Sequence, residues 1–162
     1  MLNKVIENMD FSTGWWYPVT LGIILILFVI FMPKRLNWRE IYLTMGVIAA
    51  SVWIIDTIVS VWLDVFDIGK KGLRGIPELF LYSVIPPSIA VIYLNYYIEE
   101  KKLMYSILFT ALSFTAEWLA VAVGLMKLHQ WRPIYSIPVY LVVYYFLLPL
   151  HLTFLKSLKQ TT

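Results

Sequence analysis

Five stretches of this 162-residue chain, residues 16–32, 40–63, 77–97, 103–126 and 135–155, are almost wholly apolar. A helix rises 1.5 Å per residue, so about 20 residues cross a hydrocarbon core, and each stretch is near or above that length. In lipid every backbone polar group needs an internal partner, which leaves the α-helix as the default for such runs. Only 14% of the residues are charged, against about a quarter in a soluble domain, so the apolar surplus must face lipid. The fold class that follows is all-α: a polytopic membrane bundle of five transmembrane helices. The organisation expected is an N-terminal interfacial segment (residues 1–15), the five-helix domain (16–156) and a polar C-terminal tail (157–162). Leu2, Val5, Ile6 and Met9 fall at helical spacing in the first of these. Its apolar run ends in Pro33-Lys34-Arg35 with no small-residue cleavage site, so the first span reads as retained.

Five spans put the termini on opposite sides. With the N-terminus outside, Lys and Arg divide seven inside against six outside, a weak bias. Lys34, Arg35 and Arg39 directly after the first span, against Lys4 alone before it, favour that orientation.

Two carboxylates, Asp56 and Glu117, lie well inside the second and fourth spans. An ionisable group in hydrocarbon costs about 2.5–3.5 kcal/mol on insertion scales, so such a residue is a functional candidate by default. Side chains three, four or seven apart share a helix face. Asp56, Ser60 and Asp64 align on the second span, Ser106, Thr110, Ser113 and Glu117 on the fourth, and Ser136, Tyr140, Tyr144 and His151 on the fifth. For the small and hydroxylated positions, ordinary helix packing accounts for the pattern. Depth adds more. Counted along the helices, Asp56, Glu117, Tyr144 and the Pro86-Pro87 pair all lie about 10–14 Å below one membrane face. His151 lies roughly 10 Å deeper, which argues against a Glu117–His151 pair.

Pro86 and Pro87 have no N–H, so the carbonyls of Tyr82 and Ser83 lose their helical donors, and broken helices at depth border protein or a wet cavity. The expected site is therefore a pocket formed by Asp56, Glu117, Tyr144, Pro86, Pro87, Ser83, Ser113 and Tyr140. No Lys or Arg falls at that depth by count. At least one of the acids is expected to keep its proton, with Tyr144, Tyr140, Ser113 and water as hydrogen-bond partners.

The loop Gly69-Lys70-Lys71-Gly72-Leu73-Arg74-Gly75 matches no nucleotide signature, because the glycine spacing is wrong and no strand precedes it. A solvated loop is the plainer reading; as a site, Lys70, Lys71 and Arg74 would meet lipid headgroups. The absence of cysteine removes disulfides, thiol nucleophiles and thiolate metal sites. His129 has no neighbouring ligand in the sequence, so no metal and no cofactor is expected. A net charge of +3 spread over several loops suits anionic headgroups better than nucleic acid.

Asn37-Trp38 with basic neighbours, Asp56, proline in the third span, Glu117 and the Trp131…Ser136 entry to the fifth carry a resemblance. From Asn37 onward the chain resembles a family of small, functionally uncharacterised multi-pass membrane proteins of endospore-forming Firmicutes. The resemblance implies the architecture and a bacterial plasma-membrane location, and no activity.

Three functions compete. The first is binding or movement of a small solute with proton coupling through the two acids, in a homodimer or larger complex because five spans are few for a transporter. The second is a structural or accessory membrane subunit whose acids specify helix pairing. The third is a membrane-embedded enzyme on a lipid or isoprenoid substrate, against which stands the lack of an Asp-rich diphosphate motif or a nucleophile.

Overall fold

Capping chemistry sets where the first long helix begins. Asn37 Oδ1 accepts from the Glu40 N–H (2.9 Å) while Glu40 Oε2 accepts from the Asn37 N–H (2.7 Å), a reciprocal capping box. In the computed structural model, which describes residues 2–160, the helices are α1 (Leu2–Asn8), α2 (Trp16–Phe31), α3 (Trp38–Asp56), α4 (Ile76–Ser83), α5 (Ile85–Tyr96), α6 (Lys102–Ala122), α7 (Ser136–Val142) and α8 (Leu148–Gln160). A π-helical segment, Thr57–Trp62, prolongs α3, and another, Val143–Leu147, joins α7 to α8.

Four helical stretches are long and apolar enough to cross a membrane: Trp38–Trp62, Ile76–Tyr96, Glu99–Ala122 and Pro133–Ser157. The remaining apolar helix, α2, has 16 residues. It extends about 24 Å, short of a hydrocarbon core of about 30 Å, so its length alone does not make it a fifth span. It packs on α4 and α5, and Gly22 allows the approach: a Cβ there would lie 2.5 Å from Phe80 Cδ1.

The third span is interrupted where the prolines require it. α4 ends at Ser83, Val84 sits between the helices with φ −118° and ψ −56°, and the prolines fall in the first turn of α5, where a missing N–H costs nothing. A second interruption has the same origin. Pro149 cannot donate, and upstream of it the Leu148 N–H bonds to the Val143 carbonyl five residues back. The Tyr144 carbonyl is thereby left for a side chain, and the Tyr93 hydroxyl donates to it at 2.6 Å.

The turn between α2 and α3 is tied by one buried amide. Asn95 Oδ1 accepts from the N–H groups of Arg35 (2.8 Å) and Leu36 (3.2 Å), and its Nδ2 donates to the Pro33 carbonyl (2.9 Å). Around it lies one core, with Val29, Ile41, Tyr93, Phe109, Tyr144 and Leu148. At the other end of the bundle, Tyr17, Ile68, Tyr82, Ala120 and Leu125 form a second core.

That second end holds the main departures from the sequence reading. The fourth helix stops at Ala122 instead of running to residue 126. Gly124 turns the chain with φ +75°, and β2 (Met126–Leu128) pairs antiparallel with β1 (Phe66–Ile68), with Asp67 opposite Lys127. The connections after the second and fourth spans are thus joined at one end of the bundle. The N-terminal segment packs there too: the Ile76 N–H donates to the Met9 carbonyl and the Lys70 N–H to Asp10 Oδ2. At the C-terminus, residues 157–160 continue α8 instead of forming a separate tail. Met1 and residues 161–162, assigned to the N-terminal segment and the tail, lie outside the described residues.

Candidate functional site

Between the two cores lies a cavity of about 380 Å³ whose wall is overwhelmingly apolar. α2 to α6 and the α7–α8 stretch form its sides, and Phe66, Ile68 and Met126 of the two-stranded sheet lie at one end. Of the eight residues expected to form a pocket, six line this cavity: Asp56, Pro86, Ser113, Glu117, Tyr140 and Tyr144. Two do not. Pro87 is fully buried in helix packing, and the Ser83 hydroxyl turns to accept from Trp53 Nε1 at 2.8 Å.

Asp56 is not the lone acid that counting along the helices implies. Its Oδ2 lies 2.8 Å from Arg74 Nη1, its Oδ1 accepts from the Tyr82 hydroxyl at 2.5 Å, and Ser60 Oγ donates to Oδ2 at 3.1 Å. The guanidinium also lies over two rings, 5.6 Å from the centroid of Trp53 and 5.7 Å from that of Tyr82. The expectation that no cation reaches this depth is therefore wrong. Arg74 belongs to a loop, yet its side chain is long enough to bring the guanidinium to Asp56 and over the rings of Trp53 and Tyr82. Partial burial works against its charge, but the Asp56 carboxylate outweighs this and holds the Arg74 pKa above its ordinary value. Asp64, expected on the same face as Asp56 and Ser60, lies beyond the end of the helical stretch at Trp62, with φ +49°, and is exposed instead.

Glu117 is held differently. Ser136 Oγ donates to its Oε1 at 2.7 Å, Trp131 Nε1 is shared between that oxygen (3.3 Å) and Ser136 Oγ (3.1 Å), and the Tyr140 hydroxyl donates to Oε2 at 2.7 Å. All three partners are neutral, and among the described residues no cation pairs with it. The expected part for Tyr144 and Ser113 in binding the acids is not what their hydroxyls do; they bond to each other at 2.6 Å. His151 bonds to Thr44 of α3 (3.1 Å) rather than to Glu117.

The basic loop is largely engaged within the chain. Besides Arg74, Lys71 Nζ lies 2.8 Å from Asp64 and 3.8 Å from Asp67, and the Lys70 backbone is held by Asp10. The Lys71 hydrogen bond and charge lower the Asp64 pKa, and the reciprocal hydrogen bond raises that of Lys71. His129, which has no ligand neighbour in the sequence, is brought by the pairing of β1 with β2 to 2.8 Å from Asp67. Asp64, Asp67 and His129 present donor atoms within 4.8 Å of one another, the one such group among the described residues, although Lys71 already bridges its two carboxylates.

Sequence reasoning missed three further buried acids, Glu40 of the capping box, Asp10 and Glu78. Asp10 is 4% exposed and takes the Lys70 and Ser12 N–H groups; Glu78 is 1% exposed and takes the Gly75 N–H. Glu78, three residues after Gly75 at the start of an apolar run, carries a capping signal that was available in the sequence. Compared with known proteins, the chain matches no family model, no curated protein and no solved structure at a significant level.

Proposed function

We propose that this chain is a multi-pass protein of the bacterial plasma membrane that binds a small, largely apolar molecule between its helices, with Glu117 as the polar contact. The observation that carries this reading is the cavity: about 380 Å³, apolar in its walls, with a carboxylate in its side that has no counter-charge among the described residues. Volumes of about 300–1,000 Å³ with a few convergent polar groups suit drug-sized ligands. The wall speaks against a hydrophilic solute, whose polar groups would be left unpaired there. α2 lies alongside the longer helices, which supports its serving as a fifth crossing helix.

The two acids then divide their roles. Asp56, charge-paired with Arg74 and hydrogen-bonded by Tyr82 and Ser60, fastens the loop to the bundle, which is the structural reading applied to one residue. Glu117 remains the protonatable group of the site.

Native mass spectrometry of protein released from detergent micelles tests the proposal. The wild type should retain an adduct of a few hundred daltons. Ala116→Phe, which fills the cavity from α6, should remain helical by circular dichroism and lose the adduct. Retention of the same adduct by that variant would sink the cavity as the binding site.

A further inference from the structure

We infer that the ligand class is a lipophilic monocation, such as a quaternary ammonium, a phosphonium or a protonated amine bearing apolar substituents, seated with its charge against Glu117. This deepens the proposed function and rests on the cavity being a ligand site.

Three independent features of the cavity support it. The first is charge. Two residues of its wall are acids, Asp56 and Glu117, and among the described residues no Lys, Arg or His lines it. Asp56 has its cation in Arg74, whereas Glu117 has hydrogen bonds alone. An anionic headgroup would therefore meet repulsion with nothing to offset it, and a cation would supply the missing counter-charge.

The second is the acceptor capacity left on Glu117. A carboxylate offers about four lone-pair sites. Ser136, Trp131 and Tyr140 take three, all from the α7 side, so one direction remains for a protonated amine, and a quaternary ion needs none.

The third is the aromatic content of the cavity wall, two of whose rings, Trp131 and Tyr140, touch the carboxylate. Trp131, Tyr140 and Tyr144 line the cavity from the α7 side and Tyr17 from α2. Aromatic faces attract cations by about 0.5–2 kcal/mol each, most strongly where water is excluded. The protein already uses this contact once, with Arg74 over Trp53 and Tyr82. The largely apolar wall then specifies the remainder of the molecule.

Probes of matched shape and different charge decide the matter. Tetraphenylphosphonium, its anionic isostere tetraphenylborate and neutral triphenylphosphine oxide are titrated into wild-type protein in a nonionic detergent by isothermal calorimetry. The phosphonium should bind saturably and more tightly than the other two. Glu117→Gln should weaken it by about 30-fold or more, the lower range for removing one partner of a desolvated charge pair. Equal affinity for the phosphine oxide, or full phosphonium binding by Glu117→Gln, overturns the cation assignment. If the neutral probe still binds and Ala116→Phe abolishes it, the cavity reading stands while the charge assignment falls. If none of the three binds wild type, both fall. The comparison of probes on wild type keeps the test decisive even if Glu117→Gln does not fold.

Discussion

Removing Arg74 tests whether a loop residue holds the bundle together. The Asp56 side chain is 4% exposed and that of Arg74 is 37% exposed, so the pair straddles the edge of the protein. Arg74→Ala leaves Asp56 with two neutral donors, Tyr82 and Ser60, and no cation. Breaking a fully buried pair costs about 3–5 kcal/mol. The partial exposure of Arg74 discounts that to about 2 kcal/mol, because solvent screens its end of the interaction. Loss of the contacts to Trp53 and Tyr82 adds about 1 kcal/mol, for a total near 3 kcal/mol. If most of this is the stranded Asp56 charge, Arg74→Ala made on the Asp56→Asn background should cost only about 1 kcal/mol, a coupling of about 2 kcal/mol. Reversible unfolding by SDS in mixed micelles, followed by far-UV circular dichroism, measures all four corners of the cycle. Additivity within about 0.5 kcal/mol would refute the reasoning and return Asp56 to the list of unpaired acids.

Two other perturbations test the ends of the bundle. Asn95→Ala strands the Arg35 and Leu36 N–H groups and the Pro33 carbonyl, and should destabilise by about 2–4 kcal/mol in the same unfolding assay, since a buried unpaired group costs about 1–3 kcal/mol. A loss under 1 kcal/mol would mean that the turn finds other partners. Lys71 holds the Asp64 pKa below its ordinary value of 3.8, so this contribution to local stability is present above pH 3.8 and is lost as pH falls through the lowered value. Protection from amide exchange over residues 64–73, after correction for the pH dependence of the intrinsic rate, should therefore fall in acid. In Lys71→Ala the Asp64 carboxylate, followed by NMR, should titrate higher than in the wild type; an unchanged titration contradicts the assignment of cause.

What the sequence made legible follows from what periodicity measures. The expected spans at residues 40–63, 77–97 and 135–155 match the observed stretches Trp38–Trp62, Ile76–Tyr96 and Pro133–Ser157, because long apolar runs leave the backbone few alternatives. The stripe of Ser106, Thr110 and Ser113 is buried, as a helix face turned toward protein should be. Counting along the helices brought Asp56, Pro86, Glu117 and Tyr144 to one level, and all four line one cavity. Such counting sees a helix and not its neighbours. It could not see Arg74 return from a loop, since that contact joins residues 18 apart across a chain reversal. The two-stranded sheet joins segments about 60 residues apart with three residues each, too short for any alternation to register. The π-helical turn at Val143–Leu147 did have a signal, Pro149 in an apolar run, and reading it would have freed the Tyr144 carbonyl in advance.

The remaining question is whether Glu117 carries its charge for function or only for packing, and two substitutions separate these. Glu117→Gln keeps the shape and both polar positions, and the Tyr140 hydroxyl can rotate to accept from the new amide. Stability should change by less than about 1 kcal/mol, the net worth of a single hydrogen bond. Glu117→Leu removes every acceptor facing Ser136, Trp131 and Tyr140, of which only the Trp131–Ser136 bond survives. Two hydroxyls then lose their partner in an apolar wall, and the loss should be about 2–3 kcal/mol. SDS unfolding and phosphonium binding are measured on both variants. A structural acid would tolerate Gln in both assays. A ligand-binding acid would tolerate it in unfolding alone, because the amide oxygen can still accept from Ser136 and Trp131 while its NH2 donates to the turned Tyr140 hydroxyl, but the amide brings no charge to a cation. A Gln variant as unstable as the Leu variant would mean that the charge itself supports the helix packing, and the division of roles between Asp56 and Glu117 would fall with it.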